Sequence, residues 1–360
     1  MGTTSDTMRT KRPTIEDVAA EAGVSVATVS RAMRALPNVA IATRHHVIAV
    51  AERLGYSADP AAARLAAGTT NTVTMVIPNL SSWYFSTVVA GAETVCAEAG
   101  YDVLIVGVGS QKDLSRILSE HYQLERRTDG LVAIDVVVTP DEAQSLTQRG
   151  LALASIGNRT VGHPSVQIDN KLVGRLAAEH LIGLGHRRFG MIGAQNDNPL
   201  SSDVPSLRRR GFVDELASQG LAFDHDLLEP NDFSVDGGQE AMAALLNRHE
   251  PPTAVFSMSD EMAFGAIMEL NHRGLLAGRD VSIIGVDDHE FARVVDLTTI
   301  RQSAASHGAE AARLLIDAMH QDEHHVVMSE GPSAAPSSVR EIVAPVELVV
   351  RGSTGHIELI

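Results

Sequence analysis

Residues 14–33 read TIEDVAAEAGVSVATVSRAM, and their spacing predicts two short helices joined by a tight turn. Thr14 suits the N-cap of the first helix because Asp17 follows three residues later, as in a capping box. Gly23 can adopt the positive φ that a sharp reversal between two helices needs. Apolar residues recur at helical spacing on one face of each helix, at Ile15, Val18, Ala19, Ala22, Val29, Ala32 and Met33. The stretch therefore has the pattern of a helix–turn–helix unit.

The second helix, predicted from about Val26 to Met33, carries the residues that would meet DNA. In a helix–turn–helix unit this helix enters the major groove, and its first residues face the base edges. Arg31 has the planar fork that can bind guanine O6 and N7 together. Val26 and Ala27 are apolar at outward-facing positions, which favours contact with thymine methyl groups over contact with water. Small hydroxyl groups that suit phosphate oxygens are present at Ser25, which also suits the N-cap, Thr28 and Ser30.

Two further helices are predicted before the sequence changes character. The third helix runs from about residue 43 to residue 54, with an inward face at Val47, Val50, Ala51 and Leu54. Beyond it, Asp59 and Pro60 suit the N-cap and the first position of a short alanine-rich helix. Because a helix this short is marginal alone in water, we expect it to form only when DNA and a second copy of the chain stabilise it.

The charge of the chain is divided unevenly along its length. The whole sequence has 29 Lys and Arg against 45 Asp and Glu, for a net charge of −16. Residues 1–68 hold eight of the basic and six of the acidic residues, which leaves 21 against 39 for the remainder. The acidic remainder would repel DNA, so only the N-terminal part can be the contact surface. Its balance of +2 is low for tight binding, and we expect two copies to bind together.

Several classes of protein are disfavoured by the sequence. No segment has the length and apolarity of a membrane span, and the N-terminus lacks the apolar core of a signal peptide. Cys96 is the single cysteine, which excludes an intrachain disulfide and suits the cytoplasm. Neither a nucleophile elbow nor a metal-site spacing nor a complete dinucleotide-binding fingerprint is present. We therefore expect a cytoplasmic protein with no catalytic residues, no metal and no cofactor, which does not contact a membrane.

From about residue 71 the sequence alternates short apolar strands with helical patterns. The strands fall into two series, near residues 73–77, 103–106, 130–134 and 153–156, and near residues 189–193, 254–258 and 281–286. Strands of this kind indicate parallel sheets with helices on both faces, and two series imply two doubly wound subdomains. Ligands of such sheets bind at the carboxyl ends of the strands. The cleft between the subdomains is thus the predicted ligand site.

Ordered matches to one family run through nearly the whole chain. They include DVAAEAGVSVATVSRAM at 17–33, NVAIATRHHVIAVAERLGY at 38–56, AEHLIGLGHRR at 178–188, SDEMAFG at 259–265, IIGVDD at 283–288 and LTTIRQ at 297–302. On these residues the chain resembles transcription regulators of the lactose- and galactose-repressor type. The resemblance implies a small all-α headpiece and an α/β regulatory core of two parallel-sheet subdomains, similar to type I periplasmic binding proteins.

The resemblance also implies a division of the chain. The headpiece would comprise residues 1–57, the hinge helix and linker residues 58–70, and the ligand-binding and dimerisation core residues 71–360. Three crossings between the subdomains are expected near residues 171, 302 and 325. These crossings give an N-subdomain of about 71–171 and 303–325 and a C-subdomain of about 172–302 and 326–360. The Pro- and Ser-rich segment SEGPSAAPSS at 329–338 is predicted to be a surface loop.

Roles for individual residues follow from the same resemblance. Leu65 matches a wedge that enters the minor groove and kinks the duplex. Arg208 and Asp287 match a ligand-binding arginine and aspartate, which offer the donors and acceptors that sugar hydroxyls or a purine edge require. Asp288 would point the other way on an extended chain. The full set of expected DNA contacts is Thr14, Ile15, Ser25, Val26, Ala27, Thr28, Ser30, Arg31, Asn38, Ala62 and Leu65.

Aromatic and polar residues complete the expected effector site. Phe233 corresponds to an aromatic residue that stacks on ligand, and Gln302 to a polar contact beside the hinge. Ser259 replaces the asparagine usual in the family, which shortens a polar contact and leaves the ligand class open. Aromatic residues at the mouth of the pocket are expected from Trp83, Tyr84 and Phe85, of which one or two should face the ligand.

Together these features predict a dimeric transcription regulator, most simply a repressor. Two headpieces would bind a pseudo-palindromic operator, and a small effector, a sugar or sugar derivative, would change the angle between the subdomains. One alternative keeps the DNA function but replaces the sugar with a purine-like corepressor or a protein partner. Another is a sugar-modifying enzyme with a fused headpiece.

Overall fold

The computed structural model describes residues 13–33, 37–56, 69–193, 200, 202–230, 232–327 and 340–357, with side chains in the last helix up to residue 320. The chain divides into two units, Met1–Thr70 and Asn71–Ile360. The predicted hinge helix, with Ala62 and Leu65, and the predicted loop at 329–338 lie outside the described residues. No helix in the described ranges is long and apolar enough to cross a membrane.

The described part of the N-terminal unit is a bundle of three helices, α1 (Ile15–Ala22), α2 (Val26–Met33) and α3 (Ile41–Leu54). The Thr14 hydroxyl accepts the backbone N–H of Asp17, whose carboxylate accepts the N–H of Thr14, so the predicted capping box is present. Gly23 ends α1 with φ 66°. The inward faces predicted from the sequence are confirmed, because they form one core with buried members Val18, Ala19, Ala22, Val29, Ala32, Val47, Val50 and Ala51.

The N-subdomain is built on a sheet of six parallel strands in the order β11-β5-β4-β3-β1-β2. Its strands are β1 (Thr72–Ile77), β2 (Asp102–Gly107), β3 (Gly130–Ile134), β4 (Ala152–Ile156), β5 (Ser165–Ile168) and β11 (Glu341–Ala344). One face is covered by α4 (Trp83–Glu98) and α11 (Ala304–Val327), and the other by α5 (Gln111–Leu118) and α6 (Pro140–Gln148). The central strands β1, β3 and β4 are therefore buried on both sides, as their composition predicts, whereas the edge strand β2 is partly exposed.

The C-subdomain has a second six-stranded sheet in the order β12-β10-β9-β8-β6-β7, which is parallel except for the pair β10 and β12. Its strands are β6 (Phe189–Gly193), β7 (Leu228–Pro230), β8 (Ala254–Ser257), β9 (Ser282–Asp287), β10 (Thr298–Arg301) and β12 (Glu347–Val349). Its helices are α7 (Asn170–Gly183), α8 (Val204–Ser218), α9 (Val235–Leu246) and α10 (Asp260–His272). The two doubly wound subdomains predicted from the strand series are thus present.

The chain crosses between the sheets three times, after β5, after β10 and after β11. The first two crossings lie close to the expected residues 171 and 302. The third was expected near residue 325 and that prediction is wrong, because β11 pairs in parallel with β5 and so belongs to the N-subdomain. The crossing falls at residues 345–346 instead. As an edge strand, β11 alternates exposed and half-buried residues and lacks the continuous apolar run that marks the central strands.

Candidate DNA-binding and effector-binding sites

The first turn of α2 presents the side chains predicted to meet DNA. The Ser25 hydroxyl accepts the backbone N–H of Thr28 at 3.1 Å and forms a hydrogen bond with the Thr28 hydroxyl at 2.9 Å. Ser25 therefore caps the helix as predicted. Val26, with 41% of its surface exposed, and Ala27 point outward, while Val29 on the opposite face is fully buried. An apolar, small-residue surface at the start of this helix can approach base edges closely.

The other predicted DNA contacts are placed around this surface. Arg31 is exposed in the last turn of α2, four residues after Ala27 and so on the same face. Asn38 is exposed in the turn before α3 with φ 69°. The remaining described members of the set are half-buried, and these are Thr14, Ile15, Thr28 and Ser30.

A cavity of about 700 Å³ lies between the two sheets of the regulatory core. Its lining comes from segments at or after the carboxyl ends of β1, β2, β3, β6, β7, β8, β9 and β10. Seven of the eight predicted effector contacts line it, namely Tyr84, Phe85, Arg208, Phe233, Ser259, Asp287 and Gln302. We call the lining residues of the C-subdomain the C-terminal wall and those of the N-subdomain the N-terminal wall. The structure thus brings together residues that lie far apart in the sequence.

Arg208 is fixed in the C-terminal wall by two hydrogen bonds. Its Nε donates to Asn170 Oδ1 at 2.9 Å, and its Nη1 donates to the backbone oxygen of Met258 at 2.6 Å. The side chain is buried, so a solvated surface role is excluded. A guanidinium held this way is preorganised to donate to an acceptor in the cavity.

Asp287 ends β9 in the same wall. Its Oδ1 accepts a hydrogen bond from Gln302 Nε2 at 2.5 Å. Burial raises the pKa of Asp287 to about 7, against the opposing charge of Arg208. Its φ of 130° is a conformation that residues other than glycine rarely adopt, and such strain is typical of ligand sites.

Two neighbouring aspartates support Asp287 without entering the cavity. Asp260 accepts the backbone N–H of His289 at 2.8 Å and the hydroxyl of Thr299 at 2.6 Å. Burial, followed by the charge of Asp287, raises the pKa of Asp260 to about 8. Asp288 turns away as predicted and forms ion pairs with Arg301 and Arg351. Only Asp287 of the three can therefore accept a hydrogen bond from a bound molecule.

Ser259 lines the cavity but also has a local role. Its hydroxyl accepts the backbone N–H of Met262 at 3.3 Å and so caps α10. The oxygen keeps a second lone pair and a hydrogen that can face the cavity.

Trp83 is the predicted effector contact that the structure does not place in the lining. Its ring packs on the imidazole of His289, with 4.7 Å between ring centroids and an interplanar angle of 35°. Trp83, Tyr84 and Phe85 begin α4, and successive helical residues point about 100° apart, so three in a row cannot face one cavity. Trp83 instead faces the other subdomain at the rim of the cleft.

Several lining residues were not predicted from the sequence. Asp135 directly follows β3, and Glu261 lies in the first turn of α10, where its carboxylate accepts the Ser82 hydroxyl at 3.0 Å. The full group of further polar lining residues is Asn79, Ser82, Asp135, Ser202, Asp232 and Glu261. The signal was available for Asp135, because the residue after each predicted parallel strand is a candidate ligand contact.

Comparison with known proteins identifies the family. Residues 14–59 match the bacterial regulatory proteins of the lacI family, and residues 178–354 match a periplasmic binding protein-like domain. The chain is 33% identical to the HTH-type transcriptional repressor CytR of Escherichia coli over 346 residues, which are 95% of this chain and 96% of that protein. It is 32% identical to catabolite control protein A of Priestia megaterium, over 86% of this chain and 93% of that one.

Solved structures agree with these sequence matches. The lac repressor dimer bound to operator has a TM-score of 0.79 and 25% identity, covering 96% of this chain and all of that one. The CelR–cellobiose complex has a TM-score of 0.66 and 28% identity, covering 95% of this chain and all of that one. The chain belongs to the lacI family, as a non-enzymatic transcriptional repressor with a DNA-binding headpiece and an effector-binding core.

Proposed function

We propose that the protein is a dimeric cytoplasmic repressor that binds a pseudo-palindromic operator and releases it when a sugar or sugar derivative enters the cavity. The observation that carries the proposal is the cavity between the subdomains, with Arg208 and Asp287 fixed in its C-terminal wall. Cytoplasmic location follows from the DNA target. The alternative of a sugar-modifying enzyme with a fused headpiece is not pursued, because the relatives that define the family are transcriptional repressors.

The chemistry of the cavity favours a hydroxyl-rich molecule. Carboxylates accept from hydroxyl groups, a guanidinium donates to them, and the rings of Tyr84, Phe85 and Phe233 offer apolar faces to a sugar ring. Two structurally similar regulators were solved with sugars: CelR with cellobiose, and a regulator from Enterococcus faecium with ribose. These ligands support the class of effector for this chain without identifying the compound.

Coupling to DNA follows from contacts that cross the cleft. The Ser82 hydroxyl at the start of α4 donates to Glu261 of the C-subdomain, and Trp83 packs on His289. Because Ser82 and Glu261 also line the cavity, a molecule bound there exchanges contacts with the residues that join the subdomains. An effector that favours one angle between the subdomains shifts the population of conformers, and operator affinity changes with it.

Dimerisation is supported by an exposed apolar patch on the C-subdomain. Phe291 and Val294 are 57% and 73% exposed, and Val295 lies beside them. Adjacent exposed apolar side chains of this size mark interaction surfaces. The lac repressor, a structural relative, was solved as a dimer bound to operator. A second copy would also double the low positive charge that one headpiece brings to DNA.

The test combines a ligand screen with DNA binding. DNA sites are first selected from random sequence with the purified full-length protein, and a thermal-shift screen then compares sugars and nucleobases. A sugar that raises the melting temperature and lowers affinity for the selected DNA supports the proposal. A nucleobase that raises both the melting temperature and the affinity for the selected DNA would establish a corepressor instead. If no symmetric DNA site can be selected, the proposed binding to a pseudo-palindromic operator is contradicted.

A further inference from the structure

The effector cavity adjoins a second, much smaller space on the side of the subdomain crossings. This recess measures about 10 Å³, which matches a single water-sized group. It shares five lining residues with the cavity, so the two spaces are adjacent. The shared residues are Tyr84, Asp135, Val204, Arg208 and Gln302. The remaining lining residues are Ile156, Gly157, Gln167, Ile168, Asn170 and His307.

Two of the residues that line the recess each have a polar side-chain atom with no hydrogen-bond partner among the described residues. These atoms are Oδ1 of Asp135 and Nε2 of His307, and both are buried. The His307 side chain, in α11, is only 2% exposed. Buried polar groups in native proteins are almost always paired, because leaving one without a partner costs about 1–3 kcal/mol. Two such atoms around one small space indicate that a polar group belongs there.

Backbone geometry holds Asp135 in this position. Asp135 has φ 50°, and its backbone N–H donates to Ile156 O on the neighbouring strand at 2.9 Å. Gly157, with φ 80°, lies against the carboxylate, and a Cβ added there would overlap Oδ1. Glycine at 157 therefore makes the space into which this carboxylate projects.

The charge states of the two residues define what can fill the recess. Burial lowers the pKa of His307 to about 4, so the imidazole is neutral at pH 7 and carries one ring N–H. Burial raises the pKa of Asp135 to about 6, with Arg208 opposing, which leaves mainly the carboxylate at pH 7. With the ring hydrogen on Nε2, a hydroxyl satisfies both, since its O–H donates to the carboxylate while its oxygen accepts from the imidazole.

We propose that this recess is a subsite for one hydroxyl group of the effector, bridged between Oδ1 of Asp135 and Nε2 of His307. The inference rests on the proposed function, because it names a feature of the molecule that the cavity binds. A recess of this size admits a hydroxyl and excludes a larger substituent at that position. A site built to pair with a hydroxyl rejects an analogue that lacks it, because its own buried groups then stay unpaired. His307 is accordingly a specificity-determining residue.

The first test uses the ligand-free protein and the variants His307→Leu and Thr74→Val. Thr74 is the matched control, because its Oγ1 is also buried without a partner among the described residues but lies in β1 outside the cavity and recess. If His307 is kept polar for the effector, His307→Leu melts at or above the wild-type temperature, as Thr74→Val does. A fall of more than about 3 °C in His307→Leu alone would show that the ring holds a structural water, and would overturn the proposal.

The second test measures affinity for a panel of D-ribose, cellobiose, other pentoses and hexoses, and free nucleobases by calorimetry. For a compound that binds the wild type, we expect at least tenfold weaker binding in His307→Leu and in Asp135→Asn, and unchanged binding in Thr74→Val. Equal affinity in wild type and His307→Leu overturns the subsite while the proposed function stands. If no compound binds the wild type, the proposed sugar class fails, and the melting temperatures alone decide on the recess.

Discussion

The two walls of the effector cavity differ in how their buried polar residues are paired. In the C-terminal wall, Arg208, Asp287 and Ser259 each form a hydrogen bond within the protein before any ligand arrives. In the N-terminal wall, Asp135 has a carboxylate oxygen without a partner among the described residues. A preorganised wall fixes the orientation of a ligand at little cost in ordering, whereas a wall with unpaired atoms gains partners when the ligand binds. The comparison implies that the C-terminal wall supplies affinity and the N-terminal wall supplies selectivity.

The largest expected effect is on the C-terminal wall. Asp287→Ala removes a buried acceptor and leaves Gln302 Nε2 without its partner, so we expect a loss of about 2–5 kcal/mol in effector binding. With binding weakened that much, effector concentrations that change the operator affinity of the wild type should leave the operator affinity of the variant unchanged. Calorimetry with the effector found in the screen checks this value. Asp214→Ala, in an exposed position on α8, is the control. A normal response in Asp287→Ala would show that the effector binds elsewhere.

A change in the headpiece separates the two activities. Arg31→Ala should weaken binding to the selected operator by about 1–3 kcal/mol and relax one base position per half-site. Effector affinity should not change, since Arg31 lies in the other unit. Arg53→Ala, which removes an equal charge but lies in α3 paired with Glu21 at 2.8 Å, controls for non-specific electrostatics. Unchanged sequence preference in Arg31→Ala would mean that another residue reads the base.

The buried carboxyl groups behind the C-terminal wall predict a pH dependence of stability. Burial raises the pKa of Asp260 and Asp287 to about 8 and about 7, while unfolded aspartates titrate near 4. The folded chain therefore binds more protons than the unfolded chain over that range, and stability falls as pH rises. Five histidines in the described part of the chain have a lowered pKa, His307 included, and oppose this trend below about pH 7, because an unfolded histidine still binds protons slightly above its own pKa of about 6.5.

Between about pH 7 and 8.5, the melting temperature of the effector-free protein should therefore fall by a few degrees. Asp287→Asn removes one of the titrating groups and should make the decline shallower. Thermal unfolding in a series of buffers at constant ionic strength measures the decline in melting temperature for the wild type and for the variant. A melting temperature that rises over this window would contradict the assigned protonation of the two aspartates.

The smallest expected effect is on the contacts that join the walls. Glu261→Gln keeps the size of the side chain but removes the charge that accepts from Ser82 and from the backbone N–H of Trp83. We expect the conformer that holds these contacts to lose about 1 kcal/mol of stability, seen as a severalfold change in the effector concentration at half response. Glu240→Gln, at an exposed position on α9, is the matched control. If Glu261→Gln and Glu240→Gln respond at the same effector concentration, Glu261 does not contribute to the coupling between effector and operator binding.

The sequence predicted the C-terminal wall better than the N-terminal wall. Arg208 and Asp287 stand beside motifs whose spacing is distinctive, so resemblance located both. Asp135 follows a strand without any surrounding motif, and His307 lies within a helical pattern that looks like an ordinary buried face. Their role depends on which atoms remain unpaired after packing, and that is a property of the tertiary structure. The third crossing was misplaced for a similar reason, because β11 is defined by its pairing with β5 and not by its own composition.

Trp83 offers the most direct test of the central claim, that an effector between the subdomains controls DNA binding. It is the only tryptophan in the chain, and its ring packs across the cleft on His289. Since indole emission responds to polarity and to stacked partners, a change in the angle between the subdomains should alter it. Emission and operator affinity, titrated with effector in parallel, should change with the same midpoint. An effector that releases the operator while Trp83 emission stays constant would contradict the account, because the signal would then bypass the cleft.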